Sequence, residues 1–288
     1  MSRGAVTANP SNVLSAFVMS DVRDADSALV RFGMNAVLDD STPAFTASGD
    51  SILAPVLGLF PSTTYHAQVV AFNRCGSTVG EPLPFETGRL PNDLPVYTGT
   101  GTTPSPGYVA LAAGNYGLVI DNVGRVVWYR FFPNGPGLNF QPQPNGTYAA
   151  RPPVALGEVA SWLEIAPDGS VARTVGCARG LPPRMHDMIA QTDGSYWLLC
   201  DDVRTVDLSA QGKSSQTRVM GTSVQWRSAT GDVLFEWSPF DHFEIRLGVL
   251  DPVDLAGPVI NWTHGNALDL DRDGNLLVSF RNLSEVTK

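Results

Sequence analysis

The sequence lacks several features that would each define a class of protein. It has no run of about 18 apolar residues, so a transmembrane helix is not predicted. Its 19 Lys and Arg residues are outnumbered by 28 Asp and Glu residues, and a net charge of -9 argues against nucleic acid as a partner. It also has no Gly-rich phosphate loop, no GxSxG nucleophile motif and no HExxH zinc motif. Any chemistry must therefore come from His, Arg and Asn.

The N-terminal stretch MSRGAVTANPSNVLSAFVMSDV does not have the pattern of a signal peptide. It contains no continuous apolar region and no clear cleavage site. Two locations stay open: the cytoplasm, or the periplasm or extracellular space if a leader is missing from this chain.

The three cysteines, Cys75, Cys177 and Cys200, do not have the spacing of metal ligands, and an odd number cannot pair completely within one chain. Free cysteine is among the most buried residue types, so buried free thiols are the first interpretation. A disulfide between Cys177 and Cys200 is the alternative, and it would fit an oxidising compartment.

Residues 1–88 are predicted to form a β-sandwich, because short runs such as ALVRFG and YHAQVVAFN alternate apolar and polar residues. The segment GLFPSTTYHAQVVAFNRCGSTVGEPLPFETG resembles the end of a fibronectin type III domain, with Tyr65 in a tyrosine-corner arrangement. The Pro-, Gly- and Thr-rich residues 89–107 are predicted to be a linker.

Residues 108–288 repeat one pattern, in which an Asp- or Asn-containing turn with Gly precedes strand-forming residues. It occurs in DNVGRVVWYRF, APDGSVARTV, TDGSYWLL, ATGDVLFEW and DRDGNLLVSF. The turn glycines Gly124, Gly169 and Gly231 are 45 and 62 residues apart, which suits blades of four short strands. The predicted fold class is therefore all-β: a fibronectin III-like sandwich followed by an incomplete β-propeller of about three to four blades. A generic antiparallel meander is the alternative, and the open ring predicts that the chain is a fragment.

Two of the four histidines occupy matching positions in the repeat. His186 lies eight residues before Gly194, and His264 lies ten residues before Gly274. Because innermost propeller strands line one central channel, the two side chains are expected to converge, unless each is simply satisfied by its neighbouring backbone. His66 is predicted to be structural on a sandwich strand. His242 is predicted to lie in a loop, or to cap the channel mouth.

The acidic run Asp269, Asp271 and Asp273 before Gly274 invites comparison with a calcium-binding EF-hand loop. The twelfth position of such a loop would be Phe280, where a bidentate Glu is required. An EF-hand is therefore excluded, and the run is predicted to be a hairpin turn with solvated aspartates, with weak calcium binding as the alternative.

The phrases RMHDMI and WTHGNALDLDRDGNLLVSFRNLSEVTK resemble the bacterial arylsulfotransferases that work without a nucleotide sulfate donor. Members of this family are six-bladed propellers, typically periplasmic, that pass a sulfuryl group between phenols through a sulfated histidine. The resemblance implies that Trp262, His264, Asn266 and Arg281 form the sulfate-binding motif and that His186 also faces the sulfate. The family's nucleophilic histidine would lie beyond Lys288.

Sulfuryl transfer spreads negative charge over three oxygens, so catalysis depends on positioning and on hydrogen-bond donors. Arg281 and Asn266 are predicted oxyanion donors, and His264 and His186 either donate to the sulfate or handle the phenol proton. Trp262 and His242 are the predicted substrate contacts. The resemblance implies a phenolic sulfate donor and a phenol acceptor, with no cofactor or metal; the oligomeric state stays open, a dimer included. A non-catalytic propeller that binds or adheres to a partner is the alternative function.

Overall fold

The chain is all-β, as predicted. A computed structural model describes residues 4–34 and 37–288, and residues 1–3 and 35–36 of the predicted first domain lie outside the described residues. Within the described part, strand pairing is antiparallel except for one short parallel contact between Val219–Met220 and Ile260–Asn261. Helix there is limited to short segments, none of them long or apolar enough to cross a membrane.

The chain divides into two compact units. The first runs to Phe131 and adds Pro167–Gly169, and the second holds Phe132–Ala166 and Ser170–Lys288. The predicted division into residues 1–88, 89–107 and 108–288 stays a prediction.

The first unit contains three antiparallel sheets, in which hydrogen-bonded neighbours follow the orders β1-β2-β6, β4-β3-β7-β8 with β5 and β9 added, and β10-β11-β12. Their strands are β1 Ala5–Ala8, β2 Ala16–Asp21, β3 Ser27–Gly33, β4 Asp40–Ser41, β5 Phe45–Thr46, β6 Ser51–Val56, β7 Thr64–Asn73, β8 Gly76–Val79, β9 Leu83–Glu86, β10 Val109–Ala113, β11 Tyr116–Ile120 and β12 Val126–Phe131.

The first two of these sheets share a core made by alternate residues of their strands. Val18 on β2, Val30 on β3 and Ala67 on β7 are fully buried, as the period of two along a strand requires. The Tyr65 hydroxyl accepts a hydrogen bond from the backbone N–H of Phe60 at 2.9 Å, the contact expected of a tyrosine corner. His66 lies on β7 as predicted; the fibronectin III-like class itself stays a prediction.

The second unit contains three sheets, ordered β13-β14-β15-β16, β17-β18-β19-β20 with β21 added in parallel to β19, and β22-β23-β24; the other pairings are antiparallel. Their strands are β13 Phe140–Pro142, β14 Tyr148–Ala150, β15 Trp162–Ile165, β16 Val171–Val175, β17 Pro183–Ala190, β18 Tyr196–Val206, β19 Thr217–Arg227, β20 Val233–Trp237, β21 Ile260–Asn261, β22 Gly265–Leu270, β23 Leu276–Phe280 and β24 Glu285–Thr287. Helical segments are α1 Pro252–Leu255 and the 3-10 turns Ser209–Gln211, Pro239–Asp241, Leu247–Val249 and Arg281–Leu283.

The first five residues of strand β18 are buried on both faces, so this part of the strand joins two cores within the second unit. Tyr196, Leu198 and Cys200 pack towards the β13–β16 sheet, whereas Trp197 and Leu199 pack towards the β22–β24 sheet. Successive sheets of this unit therefore stack face to face through alternate residues of one strand.

The hairpin turns share one conformation, which explains the repeated Asx and Gly pattern. Gly124, Gly169, Gly194, Gly231 and Gly274 all have φ between 80° and 89°, a left-handed conformation that glycine adopts without steric cost. In the last turn the Asp271 carboxylate accepts hydrogen bonds from the N–H groups of Asp273 and Asn275, both at 2.9 Å. The turn chemistry is thus local and readable from the sequence.

The acidic run 269–273 forms this hairpin turn, as predicted. Lys288 Nζ lies 2.6 Å from Asp271 and 3.7 Å from Asp273, so an ammonium group compensates the carboxylates there. Among the described residues, no group of three or more His, Cys, Asp or Glu side chains is placed to hold a metal ion.

The first interpretation of the cysteines, as buried free thiols, was wrong. Cys177 and Cys200 form a disulfide with their Cα atoms 6.1 Å apart, and Cys75 is an exposed free thiol in the turn between β7 and β8. Cys200 on β18 is fully buried, as expected for cysteine, whereas its disulfide partner Cys177, in the loop after β16, is only partly buried. Burial alone did not distinguish a thiol from half of a disulfide.

Candidate functional site

Strands β17 and β22, the first strands of two successive sheets, lie against each other. Arg184 Nε donates to the Gly265 carbonyl at 2.7 Å, and the Leu268 N–H donates to Asp187 Oδ2 at 2.8 Å. The pairing of β17 with β18 is interrupted between Pro183 and Met188, and the side chains of Arg184 and Asp187 make these contacts from the interrupted stretch.

The two histidines converge between these strands. His186 Nε2 and His264 Nε2 are 3.1 Å apart, and their ring centroids are separated by 5.1 Å. A hydrogen bond between two ring nitrogens needs one N–H and one lone pair, so both rings cannot be fully protonated while it exists. The residues are 78 positions apart in sequence, and the matching positions of the repeat bring them together.

His264 is held in an unusual backbone conformation. Its φ is 48°, in the left-handed region that non-glycine residues adopt only when their surroundings impose it. The His264 carbonyl accepts from the Arg281 N–H at 3.1 Å, which ties it to the 3-10 turn after β23.

The next residue, Gly265, is fixed by its N–H, which donates to the Thr222 hydroxyl at 2.9 Å. A Cβ atom at Gly265 would lie 2.7 Å from Thr222, so this position has no room for a side chain.

Two guanidinium groups surround the histidine pair and make protonation unfavourable. Arg184 is buried and ion-paired with Asp201 at 2.5 Å, whereas Arg281 is half exposed and lies 3.3 Å from Asp254. Burial, followed by the charges of Arg184 and Arg281, lowers the pKa of His264 to about 4. Burial and the charge of Arg184 also lower the pKa of His186. Both imidazoles are therefore neutral at pH 7.

The structure brings three of the predicted residues together, whereas the fourth, Asn266, makes no side-chain contact with them among the hydrogen bonds described above. His186, His264 and Arg281 share the cluster through the contacts above. Asn266 lies on β22, partly buried, and its side-chain Oδ1 has no hydrogen-bond partner within the described residues. A buried amide oxygen without a partner is costly, and the unused hydrogen-bonding capacity at Asn266 is that of an acceptor.

The two predicted substrate contacts, Trp262 and His242, differ in their exposure. Trp262 is fully buried and packs on Phe240 with ring centroids 5.1 Å apart, so it has no surface to offer a substrate and supports the segment from within the core. His242 is exposed after the 3-10 turn Pro239–Asp241 and stacks on Trp237 at 5.2 Å, which agrees with its predicted loop position. We therefore no longer assign Trp262 a direct substrate contact.

Sequence reasoning missed four residues of the cluster: Arg184, Asp201, Asn261 and Asp254. Asn261 Nδ2 lies 2.6 Å from His264 Nδ1 and 3.2 Å from Asp254 Oδ1. Arg184 and Asn261 stand within three residues of a predicted histidine, and that proximity was the available signal. Asp254 lies on α1 and Asp201 on β18, and no local pattern marks either of them.

Neutral imidazoles and guanidinium groups offer N–H donors at this site, and such donors suit the binding of an oxyanion. The sequence profile of the arylsulfotransferase (ASST) family matches residues 97–288, about two thirds of the chain. The chain therefore belongs to the arylsulfotransferase family. No curated protein matches it.

Proposed function

We propose that the chain carries the sulfate-binding half of an aryl-sulfate sulfotransferase, which transfers a sulfuryl group from a phenolic sulfate ester to a phenol. The observation that supports this most directly is the pair of neutral imidazoles, 3.1 Å apart, that Arg281 borders on the matched segment. Family membership supports the reaction class, and the geometry supports the roles of individual residues.

Arg281 is the proposed main oxyanion donor. Its guanidinium contacts Asp254 and the Asn282 side chain, yet about half of the side chain is exposed, so several of its N–H donors remain accessible. Two parallel N–H donors can hold two sulfate oxygens at once, which both orients the group and stabilises its transition-state charge. Asn266 is the proposed second donor through its Nδ2 group, a role that the family resemblance implies, whereas its buried Oδ1 can only accept.

His264 and His186 are proposed to serve as neutral donors and proton carriers. An imidazole with a pKa of about 4 stays neutral at pH 7, so it can donate one N–H to a sulfate oxygen while its other nitrogen accepts. The bridging phenol oxygen needs a proton as it leaves, and the acceptor phenol must lose one. A pair of hydrogen-bonded neutral imidazoles gives up no net proton, but it can relay one by accepting a proton at a bare ring nitrogen while donating the N–H on the other side.

The proposed covalent route follows from the family resemblance. The S–O bond of the donor ester breaks as an S–N bond to a histidine forms, and the phenolate that leaves takes up a proton. In the second half, the acceptor phenol loses its proton and its oxygen forms a new S–O bond as the S–N bond breaks. The residues described here are proposed to bind and stabilise the sulfuryl group, and the transfer assay below tests which histidine attacks.

The finer fold and the location are proposed as well. The repeated Asx–Gly hairpins and the face-to-face stacking of sheets in the second unit support a partial propeller after a fibronectin III-like sandwich. The disulfide between Cys177 and Cys200 supports an oxidising compartment such as the periplasm.

Two measurements test this proposal. Binding of a chromogenic aryl sulfate to the 288-residue chain would be followed by calorimetry, and transfer to excess phenol would be assayed on this chain and on a form extended beyond Lys288. Arg281→Ala and His264→Ala should each weaken binding at least tenfold. Arg246→Ala is the matched control, because it removes another exposed arginine that is paired with a carboxylate, Glu244.

Binding that falls only in the Arg281 and His264 variants, with transfer in the extended form, would support the proposal. Equal binding by all variants, or no binding by the parent chain, would refute the sulfate-binding role. Transfer by the 288-residue chain itself would make His186 or His264 the nucleophile and overturn the assignment of roles.

A further inference from the structure

Asn261 occupies a position from which its amide decides where the proton of His264 resides. Its Nδ2 lies 2.6 Å from His264 Nδ1 and 3.2 Å from Asp254 Oδ1. The other oxygen of Asp254, Oδ2, lies 3.3 Å from a guanidinium nitrogen of Arg281. One carboxylate therefore contacts both the residue behind His264 and the proposed oxyanion donor.

We propose that Asn261 and Asp254 are positioning residues that hold His264 in the tautomer with its proton on Nε2, so that this N–H points to His186 and to the sulfate site. The inference rests on the proposed function for its catalytic meaning, but the tautomer itself can be observed without any activity.

The carboxylate of Asp254 fixes the direction of the Asn261 amide. An ionised carboxylate only accepts hydrogen bonds, so the amide atom that faces Asp254 Oδ1 must be the nitrogen. The flipped amide would place two oxygens against each other. Asn261 Oδ1 is buried without a partner, so no competing contact favours the flip within the described residues.

The direction of the amide then fixes both rings. An amide NH2 group has two hydrogens: one goes to Asp254, and the second goes to His264 Nδ1, which must carry a lone pair. The neutral ring of His264 consequently has its proton on Nε2, and that N–H donates to His186 Nε2. His186 in turn must carry its own proton on Nδ1.

The backbone around Asn261 holds this geometry in place. β21 pairs in parallel with β19, which aligns Asn261 with Met220, and the Asn261 carbonyl accepts a hydrogen bond from Asn282 Nδ2 at 2.6 Å. Two elements thus anchor the residue before its side chain makes any contact, as preorganised support of a reactive group requires.

The tautomer matters because sulfate oxygens are negatively charged. The Nε2–H of His264 donates to His186 here, and a bound sulfate oxygen would compete with His186 Nε2 for that hydrogen, whereas a lone pair on His264 Nε2 would repel the oxygen. Without Asn261 the ring of His264 could adopt either tautomer. With an acceptor at position 261, the proton of His264 would lie on Nδ1 and be donated to that acceptor, away from the sulfate site. The affinity for an oxyanion should fall in both cases.

The first measurement is the tautomeric state of each ring, read from long-range proton–nitrogen correlation spectra of protein labelled with 15N-histidine. The chain has only four histidines, so the spectra are simple, and His186→Gln and His264→Gln variants assign the two signals of interest. In the parent chain we expect His264 to show a protonated Nε2 and a bare Nδ1, and His186 to show the opposite. A protonated Nδ1 on His264 would overturn the inference.

The second measurement uses variants of Asn261. Asn261→Asp replaces the donor with an acceptor and should move the proton of His264 to Nδ1, whereas Asn261→Leu should give a mixture. Asn134→Asp is the control, since it makes the same charge change on an exposed turn of the same unit. An unchanged His264 tautomer in Asn261→Asp would overturn the inference, and if that variant does not fold, the spectrum of the parent chain decides.

Binding of inorganic sulfate to the same proteins separates this inference from the proposed function. We expect at least a tenfold loss of affinity in Asn261→Asp and no change in Asn134→Asp. A parent chain with the predicted tautomers but no affinity for sulfate would refute the sulfate site and leave the positioning role supported. A change in affinity without a change in tautomer would refute the positioning role.

Discussion

Acidification should destabilise this protein through His264. The pKa of this imidazole falls from 6.5 in the unfolded chain to about 4 in the folded one, chiefly because of burial. The unfolded state therefore binds a proton more readily than the folded state between these values. The stabilising effect of the neutral ring is fully present above about pH 6.5 and is lost as the pH falls towards about 4.

The size of the effect can be worked out from the same shift. A difference of about 2.5 pKa units corresponds to about 3.4 kcal/mol if the ring were completely screened from water. Because the ring is only partly buried, solvent screening reduces this figure, and we expect about 1 to 2 kcal/mol. The lowered pKa of His186 acts in the same direction, whereas burial raises the pKa of Asp187, which acts in the opposite direction.

Urea unfolding at about pH 7 and about pH 4.5, on the parent chain and on His264→Gln, isolates the contribution of one ring. Glutamine does not titrate, so the variant should lose about 1 to 2 kcal/mol less of its free energy of unfolding than the parent over this interval. Equal losses in the two proteins would refute the reasoning, because they would show that His264 has the same pKa in the folded and unfolded chain.

Two further predictions concern the framework of the site. Replacing Cys177 and Cys200 with alanine should lower the free energy of unfolding by about 3 kcal/mol, the chain-entropy value for a loop closed across 23 residues. Urea titration with and without a reducing agent measures this loss. In the unreduced parent only Cys75 should react with a thiol reagent, and labelling of all three cysteines would contradict the disulfide. Gly265→Ala should lower the free energy of unfolding by about 1 to 3 kcal/mol, because the new Cβ meets Thr222 at 2.7 Å. Adding Thr222→Ser to this variant should recover part of the loss. If the effects of the two substitutions simply add, the clash is absent.

Several parts of the fold and site could be predicted because their causes are local. The Asx and Gly turns require a left-handed residue at a defined offset, so Gly194 and Gly274 mark hairpins whatever surrounds them. Since both turns close the first hairpin of a sheet, the residues at matched distances before them, His186 and His264, could be expected to meet. Arg281 followed from a family resemblance rather than from any physical pattern.

Other parts could not be predicted, because their causes are contacts between distant segments. The indole of Trp262 is apolar with a polar nitrogen and suits either a core or a binding surface, and only packing against Phe240 decided for the core. The cysteines were equally ambiguous, since the distance between Cys177 and Cys200 depends on how the loop after β16 lies against β18.

The sequence by itself thus determined the all-β class, the hairpin turns and the family, because turn chemistry and strand alternation act between neighbours along the chain. Only the tertiary structure decided which groups surround His264. Asn261 and Asp254 are ordinary polar residues in sequence, and they gain a role because β21 and α1 bring an amide and a carboxylate against one ring nitrogen. The lowered pKa of His264 has the same origin, since burial and the charge of Arg184 act through space and not along the chain.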